Sequence, residues 1–390
     1  MCQARAFCVS SLAAAASTIR PIRQITNNIM MIKHLFSITA AILFAATIVA
    51  QAATPISPAD KGIVYTGRVN FTNPESPLMV YPGTSIKANF TGSEISMKAK
   101  PGSGYFMVQV DNQPARKIFF SKEDSVIRIA TALRGDRHSV EAMLVYEGYR
   151  DRPEFRGFLL ADGAKLLAAP RQPERRMEYI GNSITCGYGT EAASGDIHYT
   201  DSTENHYYTY AVLTSRALNA QHNVVARSGI GMYRNYNGNP DGDKDIMPKW
   251  YDYTSLYDDS QLWNHSSYVP HVICICLGTN DFSTPGYKPE LYQANYEAFV
   301  KKLRKIHPKA KIVMITGPML KGEASKVHVS AVDGAYKNLT SAGVKDIYRF
   351  DFTTQTGALG YGADYHPSKA QNVKMSNELI PFIRKITGWK

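Results

Sequence analysis

An all-β sandwich or jelly-roll domain followed by an α/β domain, a parallel sheet flanked by helices, is the fold class that this sequence predicts. Three observations carry it. From about Gly62 to Leu167, apolar residues recur at every second position, and turn signals arrive roughly every ten residues. At the polar, proline-bearing run "AAPRQPERR" the rhythm changes. Beyond it, short apolar runs alternate with amphipathic stretches, as in a parallel sheet covered by helices on both faces. A chain of 390 residues suits two domains, assigned here to residues 58–168 and 176–390. Its 44% hydrophobic and 11% aromatic content can fill sizeable cores.

The first element is an address. Lys33 and His34 precede the soft apolar stretch "LFSITAAILFAATIVA", and "AQA" closes it at Ala50–Ala52. A positive start, a short apolar core and a small-x-small site make a secretory signal peptide. The core is shorter than the roughly 20 residues of a membrane span. Residues 1–52 are therefore read as leader, with export and a mature chain starting near Ala53.

The β domain follows as "GIVYTGRVNF", "SIKANFTG", "EISMKAK", "YFMVQVDNQ", "SVIRIA", "VEAMLVY" and "FRGFLLADG". None of these has a helical period. After the linker, "MEYIG" is a strand, "YYTYAVLTSRAL" a helix and "HNVVARSG" a strand. A long irregular region leads to the strand in "HVICICLGTND". Tyr292, Tyr296, Phe299, Leu303 and Ile306 then step by four and three along one helix face. "KIVMITGP" is the next strand, "VSAVDGAYKNLTSAG" a helix ending at Gly343, and "KDIYRFDF" another strand. The final helix begins after "HPS".

Composition excludes several partners. The formal charge is +11, and beyond the leader 40 basic residues face 33 acidic ones, spread along the chain. The one dense run, "VKKLRKIHPKAK", fits the wet face of a helix, so no nucleic acid is expected. Beyond Cys2 and Cys8 only Cys186, Cys274 and Cys276 remain, too few for a disulfide framework. Cys274 and Cys276 alternate within an apolar strand and read as core residues. No H-E-x-x-H pattern occurs, and "DGDKD" lacks the glycine of a calcium loop, so neither metal nor cofactor is expected.

The chemistry gathers at strand ends, where ligands bind in such sheets. Ser183 sits in "YIGNSITCGYG", directly after an apolar run; taken alone, it is as ordinary as any turn serine. A serine hydrolase also needs a base and donors aimed at an oxyanion. His366 in "GADYHPSKA" can be the base, and Asn280 in "LGTND" offers a side-chain amide. The glycines of "RSGIGMYRN" can bring a backbone N–H close.

The ordered set Gly-Asn-Ser-Ile, Ser-Gly, Gly-Thr-Asn-Asp and Asp-x-His-Pro resembles the four blocks of the SGNH (GDSL-like) hydrolases. With a preceding jelly roll, the chain resembles carbohydrate esterase family 2, whose members deacetylate plant polysaccharides. The α/β-hydrolase elbow G-x-S-x-G does not match, because Thr185 takes the place of its second glycine. The resemblance implies Ser183 as nucleophile and oxyanion donor, Asn280 as a second donor, and His366 as general base. Gly229 is taken as the remaining backbone donor, with Gly231 as the alternative. Two positions depart from the pattern. Asn182 replaces the usual aspartate, and Ala363 stands where the triad acid normally lies. Asp364, one residue later, is the available acid, and its backbone carbonyl is the alternative partner for His366; a Ser-His dyad is favoured. Tyr365 is expected to line the pocket and stack on a sugar. The implied activity is removal of acetyl groups from xylan or glucomannan by a monomer. A lipase or thioesterase of the same fold, or a carbohydrate-binding protein with a vestigial site, are the alternatives.

Overall fold

Residues 53–390 are described in the computed structural model, so the leader lies outside the described residues. The first domain contains β1 (Thr54–Ile56), β2 (Ile63–Thr66), β3 (Val69–Asn70), β4 (Leu78–Met79), β5 (Ser85–Phe90) and β6 (Ile95–Ala99). It continues with β7 (Gly104–Val110), β8 (Arg116–Phe120), β9 (Val126–Ala130), β10 (His138–Leu144) and β11 (Phe155–Leu160). Two antiparallel sheets form, in the orders β1-β11-β6-β9 and β2-β5-β10-β7-β8, while β3 and β4 pair separately. The alternation is visible along β6, where Ile95, Met97 and Ala99 are fully buried while Ser96 and Lys98 remain partly exposed. Phe90, Phe106, Phe120 and Phe158 fill the space between the sheets. This is the sandwich that the period-two pattern predicts.

The second domain opens with β12 (Arg175–Gly181), α1 (Ser183–Cys186), α2 (Tyr210–Ala217) and β13 (Ala220–Ala226). In the irregular region lie α3 (Met247–Trp250) and the hairpin β14 (Tyr253–Ser255) and β15 (Asp258–Leu262). Then come β16 (Val272–Cys276), α4 (Thr279–Phe282), α5 (Pro289–Ile306), β17 (Lys311–Thr316), α6 (Gly322–Ser341), β18 (Ile347–Asp351) and α7 (Lys369–Thr387). The sheet order is β13-β12-β16-β17-β18, parallel throughout. Every residue of β16 is buried because helices cover both faces. Ile273 and Ile275 face the layer of α5 and α6, and Cys274 and Cys276 face α2 and α7. The cysteines are thus core residues. Helix α6 begins at Gly322, earlier than the apolar pattern suggests, because "GEASK" adds a polar first turn with little periodicity.

From β12 the chain turns to one side, to β13, and from β16 to the other, to β17. The ends of β12 and β16 therefore flank the switch point where such sheets bind ligands. The two domains share a core: Val80 and Tyr81 pack into the cluster of the parallel sheet. Arg68, fully buried, donates from Nη1 to the carbonyls of Tyr251 and Tyr253 at 2.7 Å each. Its guanidinium also lies 3.7 Å from the Glu178 carboxylate on β12.

Candidate active site

Gly181 ends β12, and a Cβ there would lie 2.0 Å from the Thr185 hydroxyl, so only glycine admits this close turn. Asn182 caps α1, its side chain accepting the Ile184 N–H at 3.1 Å. The nucleophile candidate is thus the first helical residue. Gly187, at φ 94°, ends the single turn by donating to the Ser183 carbonyl. Ser183 is only 5% exposed, and its Oγ lies 2.8 Å from Nε2 of His366.

His366 follows a 3-10 turn, Ala363–Tyr365, in which Asp364 and Tyr365 both take left-handed conformations at φ 47° and 60°. This double reversal separates the Asp364 carboxylate from its carbonyl. The carboxylate accepts from the Tyr188 hydroxyl (2.9 Å), the Tyr199 N–H (3.0 Å) and His198 Nδ1 (2.8 Å). Nδ1 of His366 instead meets the carbonyls of Ala363 and Asp364, at 3.1 and 3.2 Å. Two carbonyl acceptors place the proton on Nδ1 and leave the Nε2 lone pair toward Ser183. Of the two Asp364 partners that the sequence leaves open, the structure brings the backbone carbonyl, not the carboxylate, to His366. Burial pushes the imidazole pKa down to about 4, while the two carbonyl contacts work in the opposite direction. The Tyr188 ring lies 4.2 Å from the imidazole and supplies part of that dry environment.

The donors converge on the same spot. Neither the Ser183 nor the Gly229 N–H has a protein acceptor among the described residues. Gly231 differs, because its N–H is taken by Asn235 Oδ1 at 3.0 Å. Asn280 lines the cleft and spends one amide proton on the Ile230 carbonyl at 2.7 Å, leaving the other. Next to it, buried Asp281 holds the N–H groups of Met232 (2.9 Å), Tyr233 (2.8 Å) and Arg234 (3.1 Å). From the β domain, Glu147 Oε1 accepts the Ser228 N–H at 2.7 Å. The loop carrying Gly229 is therefore pinned on both sides.

These groups open into a cleft of about 480 Å³. Tyr188, Tyr236 and Met319 form parts of its wall. Tyr365 does not line it: the residue is 54% exposed, its hydroxyl is bonded to Asp196, and its ring packs over Tyr361. The left-handed turn that frees the Asp364 carbonyl carries the Tyr365 ring outward. Met319 escaped sequence reasoning; its one signal is its place just past the end of β17. Glu147, Cys186 and Glu204 are the only grouped metal-type ligands among the described residues. Burial raises the pKa of all three, which favours protonated forms that bind cations poorly.

Residues 65–170 match the family model "Carbohydrate esterase 2 N-terminal", and residues 179–372 match "GDSL-like Lipase/Acylhydrolase family". Over 339 residues the chain is 30% identical to an acetylxylan esterase / glucomannan deacetylase of Cellvibrio japonicus, covering 86% of this chain and 91% of that one. The chain belongs to carbohydrate esterase family 2. It is also 36% identical over 329 residues to the cellulase/esterase CelE of Acetivibrio thermocellus, which covers 84% of this chain and 40% of CelE's length. Among solved structures, a family two carbohydrate esterase from Clostridium thermocellum in complex with cellohexaose superposes with a TM-score of 0.80. That match has 35% identity and covers 84% of this chain and all of the other. The cleft of this family 2 esterase is lined by residues of the second matched region, Ser183, Asn280 and His366, while Glu147 of the first holds the Ser228 N–H behind it.

Proposed function

We propose that this chain is an exported serine esterase that removes O-acetyl groups from a plant polysaccharide such as xylan or glucomannan. Its relatives' names support the substrate class. The observation that carries the mechanism is the 2.8 Å contact from Ser183 Oγ to His366 Nε2, beside unpaired N–H groups. Nε2 takes the proton as Oγ attacks the acetyl carbonyl. The oxyanion is held by the N–H groups of Ser183 and Gly229 and the Asn280 amide, which are fixed before reaction and need no reorganisation. As the tetrahedral intermediate collapses, the ester C–O bond to the sugar breaks and the imidazolium protonates the departing sugar oxygen, leaving acetyl-Ser183. Water, activated by the same imidazole, releases acetate. The Ala363 and Asp364 carbonyls fix the tautomer and share the imidazolium charge, the tasks that a carboxylate performs in a triad.

Acetate release from acetylated xylan and acetylated glucomannan, measured beside hydrolysis of short- and long-acyl esters, tests this. Preference for the long-acyl esters favours a lipase, and polymer retention without turnover favours a binding protein. Export is checked by sequencing the N-terminus of the released protein, expected near Ala53.

A further inference from the structure

Beside the catalytic cleft lies a second, polar cavity of about 220 Å³. Tyr188 and Ser228 form walls of both, so the two are contiguous. Asp151 and Asp201 line this cavity, and they also line a third depression, of about 310 Å³, on the β domain. Each hollow therefore shares wall residues with the next, so the series leads as a track from the cleft at Ser183 to the surface at β7 and β8 that carries Tyr105 and Phe119.

The track has the chemistry of a sugar path. At its far end, Phe119 is 48% exposed and stacks on Tyr105 with ring centroids 4.4 Å apart. An exposed aromatic on a sandwich face marks a contact surface, and the C–H face of a pyranose is an apolar plate that packs on such a ring. Between the aromatic pair and the cleft, the walls carry Arg150, Arg227, Asp151 and Asp201. Arg150 is exposed, with its guanidinium 5.3 Å from the centroid of the Tyr149 ring. Sugar hydroxyls can accept from an exposed guanidinium such as that of Arg150 and donate to the carboxylates of Asp151 and Asp201.

We infer that this track is an extended binding site for the polysaccharide backbone flanking the acetylated residue, with Phe119 as its distal platform and Arg150 as an intermediate polar contact. The inference rests on the esterase reading above, and it gives the β domain a direct part in substrate binding.

The test uses Phe119→Ala and Arg150→Ala in the full chain, assayed on acetylated xylan, acetylated glucomannan and 4-nitrophenyl acetate. Neither residue touches the reacting atoms, and both are exposed, so folding and kcat on the small ester should stay at wild-type values. On the preferred polymer, KM should rise several-fold with kcat little changed, the sign of lost uniform binding. The KM increase should vanish on acetylated monosaccharide, which is too short to reach the platform. Wild-type KM on polymer in both variants overturns the inference while leaving the esterase reading intact. Absence of polymer deacetylation by the wild-type enzyme overturns the esterase reading itself, and the track with it.

Discussion

At the scale of single residues, His366 defines the chemistry by what it lacks. Its Nδ1 has carbonyl acceptors and no carboxylate, while the Asp364 side chain is occupied by Tyr188, His198 and Tyr199. Asp364→Asn keeps a residue tolerant of the left-handed turn and should lower turnover by about tenfold or less, roughly 1.4 kcal/mol. A loss near 10⁴, the scale for a disabled triad aspartate in another protein, would contradict the dyad. Ser183→Ala should abolish acetate release with the fold intact by circular dichroism. The pH profile follows from the same environment. The base works only when neutral, and burial holds its pKa near 4, so kcat/KM should stay level as pH falls through 6.5 and decline only below about 5. An acid limb centred at 6.5 would show a solvated imidazole. Ser183 and Asn280 are legible from sequence because each follows a strand end within a short pattern, and His366 because its pattern opens the final helix. The choice of Gly229 over Gly231 is not, since it depends on Asn235 occupying one N–H. Nor is the displacement of Tyr365 from the cleft, which depends on two successive left-handed residues.

At the scale of elements, the pattern Gly-Thr-Asn-Asp works as a clamp. Asn280 and Asp281 are consecutive on α4, and together they bind the loop from Ile230 to Arg234. Gly278, at φ 121°, lets the chain enter α4 beside the His328 ring, where a Cβ would sit 2.0 Å from Nε2. Asp281→Ala would leave three buried N–H groups without acceptors, at about 1–3 kcal/mol each. The expected outcome is a lower melting temperature together with a kcat loss exceeding any KM change, since the loop also presents Gly229. Unchanged kcat in a destabilised variant would separate the clamp from catalysis. Period counting finds the strands and α5 directly, because their buried faces are uniformly apolar. It shortens α6, whose first residues are polar and carry no stripe.

At the scale of the whole molecule, the proline-bearing linker suggests two separable halves, yet the structure joins them through a buried charge. Arg68 comes from the β domain, Glu178 from β12, and both are inaccessible to solvent. Sequence cannot pair them, since neither stands in a pattern and the contact bridges two folds. Burial raises the Glu178 pKa, and the Arg68 guanidinium opposes that rise. Arg68→Met removes the charge and leaves the carboxylate only its neutral donors, Asn223 at 2.9 Å and the Tyr251 hydroxyl at 2.6 Å, a change of the kind that costs up to about 3–5 kcal/mol where buried pairs are broken. Glu178 can then escape the penalty only by protonation. Its folded pKa, raised further in the variant, lies above the unfolded value, so protonation stabilises the fold at low pH and that relief is lost as pH rises. The stability deficit of Arg68→Met should therefore be larger at pH 8 than at pH 5, and Glu178→Gln in the same chain should remove most of the pH dependence. Calorimetry of the wild type should show one transition. Two transitions, or a variant as stable as wild type at pH 8, would mean that the domains hold together by apolar contact at Val80 and Tyr81, with the ion pair contributing nothing.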